Sequence, residues 1–259
     1  MPWLAPYQSI GRSVALDVLA GRSVRQALNA ALLARPAVVM TDGHGLQFVA
    51  QDELPDDEAY EAFIARTGRV PTRDNVHDLF NGLVWLRFIR LKRRLNTLHA
   101  LQITQAGAGR TRGPVRDALT LFDENAALLQ APDVLLDALR RRDWQALFVE
   151  HRAAWRSARL TLFGHALLEK LLQPRKAITA HVWVLPVSVA LDALSDGSGS
   201  ADALPAELSS PRWLALPVLG VPGWWAANEQ GNFYRDESVF RPASPRAGGA
   251  PQKPLGAGL

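Results

Sequence analysis

The stretch "NVHDLFNGLVWLRF", residues 75–88, decides how the middle of this chain folds, because it is apolar nearly all the way round except for His77, Asp78 and Asn81. At about 100° per residue, Val76, Leu79, Phe80 and Leu83 make one stripe, and the three polar residues lie on the other side. One to two turns later that same side carries Val84, Trp85 and Phe88. The pattern predicts a helix buried on most sides, with a polar triplet at its mouth. Buried polar groups need partners, and an unpaired carboxylate is costly or shifts its pKa. Two readings follow: a satisfied structural network in which Asp78 caps the helix or pairs with Arg73, or a pocket lined by Arg73 and Asn81.

Working outward, residues 12–34 read as helix interrupted at Gly21, and "AVVM-TDGHG-LQFVAQ" reads as two short strands about a turn that holds His44. "PDDEAYEAFIARTG" predicts a helix with Asp56, Asp57 and Glu58 in its first turn and Gly68 as its stop. A long helical region begins near Asp74 and bends around Phe88 to Arg90. "DALTLF-DENA-ALLQA" has the pattern of a hairpin, or of strand and turn, in which Asp123, Glu124 and Asn125 are turn residues. "PDVLLDALRRRDWQALFVEHRAAWR" is helical, "RLTLFGHALLEKLL" is a strand entering a helix at Gly164, and "KAITAHVWVLPV" is a strand. The expectation is an α+β fold, mainly helical, with short strands and hairpins in one globular domain over residues 1–240. Residues 241–259, rich in Pro, Gly and Ala, have the composition of a disordered tail.

Bulk composition narrows the chemistry. Nearly half of the 259 residues are hydrophobic, enough for a sizeable core. With no cysteine, disulfides and thiolate catalysis are excluded, any metal falls to His, Asp, Glu or Asn, and a reducing, cytoplasmic setting fits. The net charge of +4 admits a polyanionic partner, yet only four of the 29 basic residues are lysine, and an arginine- and alanine-rich chain also fits GC-rich codon usage. The first residues lack a basic start followed by an apolar run, and proline interrupts the two uncharged stretches, each short of the roughly 20 residues of a membrane span. The chain carries no phosphate-binding P-loop, no G-x-S-x-G and no H-E-x-x-H.

Chemistry-bearing residues cluster in a few places. His165 and Glu169 in "FGHALLEKLL" stand at i and i+4 on one helical face, a spacing that supplies two metal ligands, an imidazole with its orienting carboxylate, or a surface hydrogen bond. Lys176, Thr179 and His181 follow in "PRKAITAH", the last two on one side of a strand. "RFIRLKRRLN" sets Arg87, Arg90, Lys92, Arg93 and Arg94 beside a leucine stripe, which predicts an exposed basic face; with Arg110, Arg112 and Arg116 it suits phosphates. "VPGWWAANEQGNFY" reads as an arm packed over the core rather than a sugar-stacking platform.

"VPTRDNVHDLFNGLVWLRF", "KRRLN", "RGPVRDALTLFDEN", "FGHALLEKLL", "KAITAH" and "LPVLGVPGWWAANE" together resemble a bacterial family, domain-of-unknown-function family 3025, from about residue 35 to 242. Ile89 departs from the proline usual there, and Ala126 from the glycine usual after "DEN", which argues against a left-handed turn at Ala126. The family has no established activity, so the resemblance implies only a bacterial source and a single domain.

The leading functional expectation is a metal-assisted or acid–base hydrolase of a small anionic substrate. In it His77, Asp78, His165 and Glu169 are catalytic groups or ligands of a divalent metal, and His181 has an acid or supporting role. Arg73, Asn81, Arg116, Lys176 and Thr179 are the substrate-binding candidates. The alternative is a non-enzymatic module that binds nucleic acid or a protein through the arginine-rich helix.

Overall fold

A computed structural model describes residues 1–35, 45–106, 113–189 and 213–243. A 3-10 turn over Pro2–Tyr7 leads into α1 (Gln8–Leu19), and Gly21, at φ +93°, turns the chain into α2 (Val24–Leu33). Ser23 and Gln26 close a reciprocal capping box at the start of α2. Next come β1 (Gln47–Ala50), α3 (Tyr60–Thr67) and β2 (Arg69–Thr72); Gly68 stops α3 at φ +69°, and β1 pairs in parallel with β2. The turn around His44 and the strand expected before it lie outside the described residues, so β1 is known here only through β2. Asp56, Asp57 and Glu58 precede α3 rather than filling its first turn, where Glu61 stands.

The stretch at 75–88 forms α4 (Val76–Arg87), capped by Asn75, whose side chain accepts from Asp78 N–H. Phe88 breaks the helix at φ −130°, ψ 49°, and α5 (Ile89–Ala106) departs in a new direction. The expected bend is therefore a full break, and it resets the phase of every residue after it. α6 (Pro114–Asn125) begins with proline in its first turn and runs straight into β3 (Ala126–Gln130). "DALTLF" is thus helix and "DEN" its last turn, not a hairpin. Ala126 is extended (φ −78°, ψ 151°), in keeping with the absence of glycine there.

α7 (Asp133–Arg141) ends at Arg142, at φ 53°, and irregular helical turns carry the chain through residues 146–157 to β4 (Arg159–Leu162). α8 (His165–Lys170) follows at once, then β5 (Thr179–Val184) and a strand the sequence did not disclose, β6 (Leu214–Pro217). The sheet order is β4-β3-β5-β6, with β3 parallel to β5 and the outer pairs antiparallel. β3 and β4 pair across an intervening helix rather than through a tight turn. Every residue of β3 is buried, as a central strand covered on both faces requires.

One buried core runs from Trp3 to Phe240. Along it Phe88 lies 5.6 Å from Phe163, which lies 5.1 Å from Phe122, tying the α4–α5 break to the sheet. The expected arm packs with Tyr234 stacked on Phe148 at 5.2 Å, and Lys176 over the Phe233 ring at 4.4 Å holds it in place. No helix among the described residues is long and apolar enough to cross a membrane.

The junction between β4 and α8 fixes where α8 starts against the last turn of α6. Phe163 and Gly164 both donate backbone N–H to Ala126 O at 2.9 Å. A Cβ on Gly164 would come within 2.5 Å of the Asn125 backbone N and Cα and of Glu124 O. Backbone cannot swing away as a side-chain tip can, so Gly164→Ala is expected to destabilise the fold by about 2–3 kcal/mol. The check is a lowered denaturant midpoint at unchanged m-value.

Candidate functional site

That close approach presses the last turn of α6 against the first residue of α8, while α4 packs on α8 from the other side. A cavity of about 280 Å³ opens where α3, α4, α5, α6 and α8 meet. His77 and His165 face one another across its mouth with Nε2 atoms 3.1 Å apart and rings edge to face at 4.6 Å.

The other nitrogen of each ring is already engaged. His77 Nδ1 lies 2.8 Å from Glu169 Oε2, and His165 Nδ1 lies 2.9 Å from the Asp123 carbonyl oxygen. Both neighbours only accept, so each Nδ1 donates, and in its neutral form each ring turns an Nε2 lone pair toward the same point. Glu124 Oε2 lies 3.5 Å from His165 Nε2. Ligand atoms of His77, Glu124 and His165 all fall within 4.8 Å of one another. Two lone pairs at this distance repel unless a proton or a cation sits between them. Burial, first, and then Lys92 and His77 hold the His165 imidazole below the usual histidine range, against the pull of Asp123 and Glu124.

Behind the pair lies a buried polar network. Lys92 Nζ donates to Asp123 Oδ1 at 2.6 Å and Asn81 Oδ1 at 2.8 Å, and Asn81 Nδ2 donates to Tyr60 Oη at 3.1 Å. Burial alone would push the Asp123 carboxyl up; Lys92, with His165 and His99, reverses this and leaves it below the usual carboxylate range. Lys92, Asn96 and His99, at i, i+4 and i+7 of α5, are all buried along this wall.

Asp78 takes the structural role of the two read from the sequence. Its oxygens accept from Arg73 N–H at 2.7 Å and, at 3.0–3.2 Å, from the Arg73 guanidinium, leaving it outside the ligand cluster although it lines the cavity. Glu169 does not join His165 as a fellow ligand: the two share one face of α8 and both reach His77 of α4, Glu169 at Nδ1 and His165 at Nε2. Of the substrate-binding candidates, Arg73 and Asn81 line the cavity. Arg116 does not line it; it lies partly buried on α6, close enough to act on the charge of His99. Lys176 pairs with Asp236 at 3.0 Å under the C-terminal arm. Thr179 and His181 sit on β5 outside this cavity. There Asn125 Nδ2 lies 2.8 Å from His181 Nδ1 and donates to Thr179 O at 3.0 Å, so these two hold α6 to the sheet.

The basic stretch departs from the exposed face expected of it. Lys92 is buried in the cavity, Arg87 covers the Phe88 ring at 5.1 Å, and Arg90, Arg93 and Arg94 are half-buried. Arg110 and Arg112 lie outside the described residues. Glu124 was hidden in a presumed turn and Lys92 in a presumed surface; Tyr60 and His99 carried no signal beyond helical spacing.

Two outcomes separate structure from chemistry. Asp78→Ala is expected to cost about 1–3 kcal/mol, since Arg73 N–H loses its acceptor, whereas Glu124→Gln, which removes no ordinary hydrogen bond, leaves the unfolding midpoint nearly unchanged. Acid should also weaken the fold. Burial, with Lys92 and Arg116 for His99 and with Lys170 for His181, holds both imidazoles below the usual range. Below about pH 6.5 the unfolded chain then binds more protons than the native one, so stability falls as pH drops from about 7.5 to 5.5. Denaturant midpoints across that range, with a shallower slope in His181→Gln, provide the check.

A search of curated proteins and a search of solved structures each find no match to this chain. A family model described as "Protein of unknown function (DUF3025)" matches residues 46–244, a span that takes in every element from β1 to β6. The chain belongs to that family.

Proposed function

We propose that this protein binds one divalent cation at His77, His165 and Glu124 and uses it to hydrolyse a small anionic substrate held in the cavity. The observation that carries the reading is the pair of Nε2 lone pairs aimed at one point 3.1 Å apart, with the Glu124 carboxylate alongside. A shared proton relieves the two nitrogens and leaves Glu124 idle; a cation relieves all three. The separation also suits coordination, because two nitrogens on a tetrahedral zinc stand about 3.3 Å apart given Zn–N bonds of about 2.0–2.1 Å. Both histidines have the oxygen-bonded Nδ1–H that fixes a ligating imidazole, from Glu169 in one case and the Asp123 carbonyl in the other.

Charge supports the same reading. The cavity lining carries two cations, Arg73 and Lys92, against four carboxylates, Glu61, Asp78, Asp123 and Glu124. A divalent ion balances the excess and makes room for an anion that the empty charge set repels. With three protein ligands a coordination position stays open for water, whose pKa a bound zinc-like ion lowers toward neutrality. Lys92 holds the Asp123 side chain in place, and Asp123, through its carbonyl, holds His165.

Thermal unfolding with and without Zn²⁺, Mn²⁺ and Mg²⁺ tests the site. At free metal near 100 times the dissociation constant, stabilisation of about 2.7 kcal/mol is expected in the wild type, and none in His165→Ala or in Glu124→Gln/His77→Ala. Asp78→Ala, although less stable, should keep the metal response. A wild type indifferent to all three metals sinks the proposal and leaves the histidines bridged by a proton. Hydrolysis itself is read as chelator-sensitive turnover of p-nitrophenyl esters and phosphates, lost in Glu124→Gln.

A further inference from the structure

The inner wall of the cavity is built from donors that nothing in the fold uses. Lys92 gives two of its three N–H groups to Asn81 and Asp123, which leaves one. Tyr60 Oη accepts from Asn81, and its own proton reaches no acceptor among the described residues. Trp85, 2% exposed, and His99, 5% exposed, both line the cavity, and Trp85 Nε1 and His99 Nδ1 are buried without a hydrogen-bond partner. Lys92 Nζ lies 5.3 Å from the centre of the Trp85 ring, so these groups belong to one wall. Orphaned buried donors are rare in native folds and costly to keep. Trp85 Nε1 and His99 Nδ1 are two of six such atoms among the described residues, and with the spare Lys92 and Tyr60 protons on the same wall they mark a place where a ligand supplies the missing partners.

We infer that this wall is a subsite for a carboxylate or acyl oxygen of the substrate, held by Lys92, Trp85 and Tyr60 with His99 beside them. The indole N–H, the spare ammonium N–H and the free phenol proton can only donate, so the group that satisfies them brings acceptors and no hydrogens of its own. That excludes an amine, and it disfavours a sugar hydroxyl. Charge then chooses among the acceptors. Lys92 is already paired with Asp123, and Glu61 lines the same cavity. A wall that is neutral at best tolerates one negative charge and resists the two of a phosphate monoester. The substrate class is accordingly a small carboxylic acid or acyl derivative. The inference rests on the metal reading only for the charge balance of the loaded cavity; the orphaned donors stand without it.

The test is a titration of ¹⁵N-tryptophan-labelled full-length protein, zinc-loaded and metal-free, with acetate and with inorganic phosphate. The chain has eight tryptophans, and Trp85→Phe, which keeps a ring and removes the N–H, identifies the Trp85 indole resonance. Acetate should move that resonance saturably, and Trp85→Phe should bind acetate at least about tenfold more weakly, as loss of a hydrogen bond to a charged group implies. Should Trp85→Phe not fold, Tyr60→Phe serves, with acetate affinity expected to fall severalfold while the Trp85 resonance persists. If zinc binds and acetate leaves every indole resonance unmoved, the subsite is overturned and the metal centre survives. If zinc does not bind and acetate still moves Trp85, the metal reading fails and the subsite stands. Phosphate moving the same resonance at lower concentration than acetate overturns the choice of a carboxylate.

Discussion

Everything at this site depends on one contact between backbones. Gly164 lies so close to the last turn of α6 that no other residue fits without displacing Asn125 or Glu124. Two amides, those of Phe163 and Gly164, converge on the Ala126 carbonyl and fasten the contact. The consequence reaches both ways. α8 starts where α6 ends, so His165 meets the Asp123 carbonyl and the Glu124 carboxylate within one turn. α6 passes into β3 with no intervening loop, so the fully buried central strand holds the position of both acids.

On that framework the protein keeps polar groups where burial penalises them. Lys92 and Asp123 form a pair whose cationic member is almost wholly removed from solvent. Such pairs contribute little to net stability, because desolvation of both ions offsets their attraction, but losing one partner strands the other charge. The same arithmetic applies to His99 and Trp85, whose buried nitrogens lack partners. A fold selected for stability alone would place leucine at such positions. Their place beside the facing histidines gives the cavity a polar inner wall, where a packing defect would be lined by apolar side chains.

Much of this architecture was legible in the sequence, and the missing part was missing for a physical reason. α1 and α2 about Gly21, α4 and its end near Phe88, the strand-to-helix passage at Gly164 and the strand at "ITAHVWV" all follow from periodicity and punctuation. His77, Asp78 and His165 were each marked as polar in an apolar setting, but whether they converge was left open by the sequence, and only the packed fold brings them to one cavity. Periodicity could not carry a phase across Phe88. Once the helix breaks there, the azimuth of α5 is set by packing, and Lys92 moves from a supposed surface to the interior. "FDEN" misled because Asp and Asn favour turns, whereas here Asn125 ends a helix and ties it to β5 through Thr179 and His181. β6 escaped notice because proline and glycine surround it, and its strand character comes from pairing with β5.

The two facing histidines lie 88 residues apart in the chain, and His77 and Glu169 lie 92 apart. Contacts of such separation carry a loop-closure entropy cost that the locally formed helices on either side do not. The site is therefore assembled from distant parts of the chain, and a fragment that lacks either part cannot form it. A piece ending before β4 keeps α4 with His77 but has nothing for that imidazole to face. During translation from the N-terminus, His77 therefore has no imidazole to face until α8 has been made.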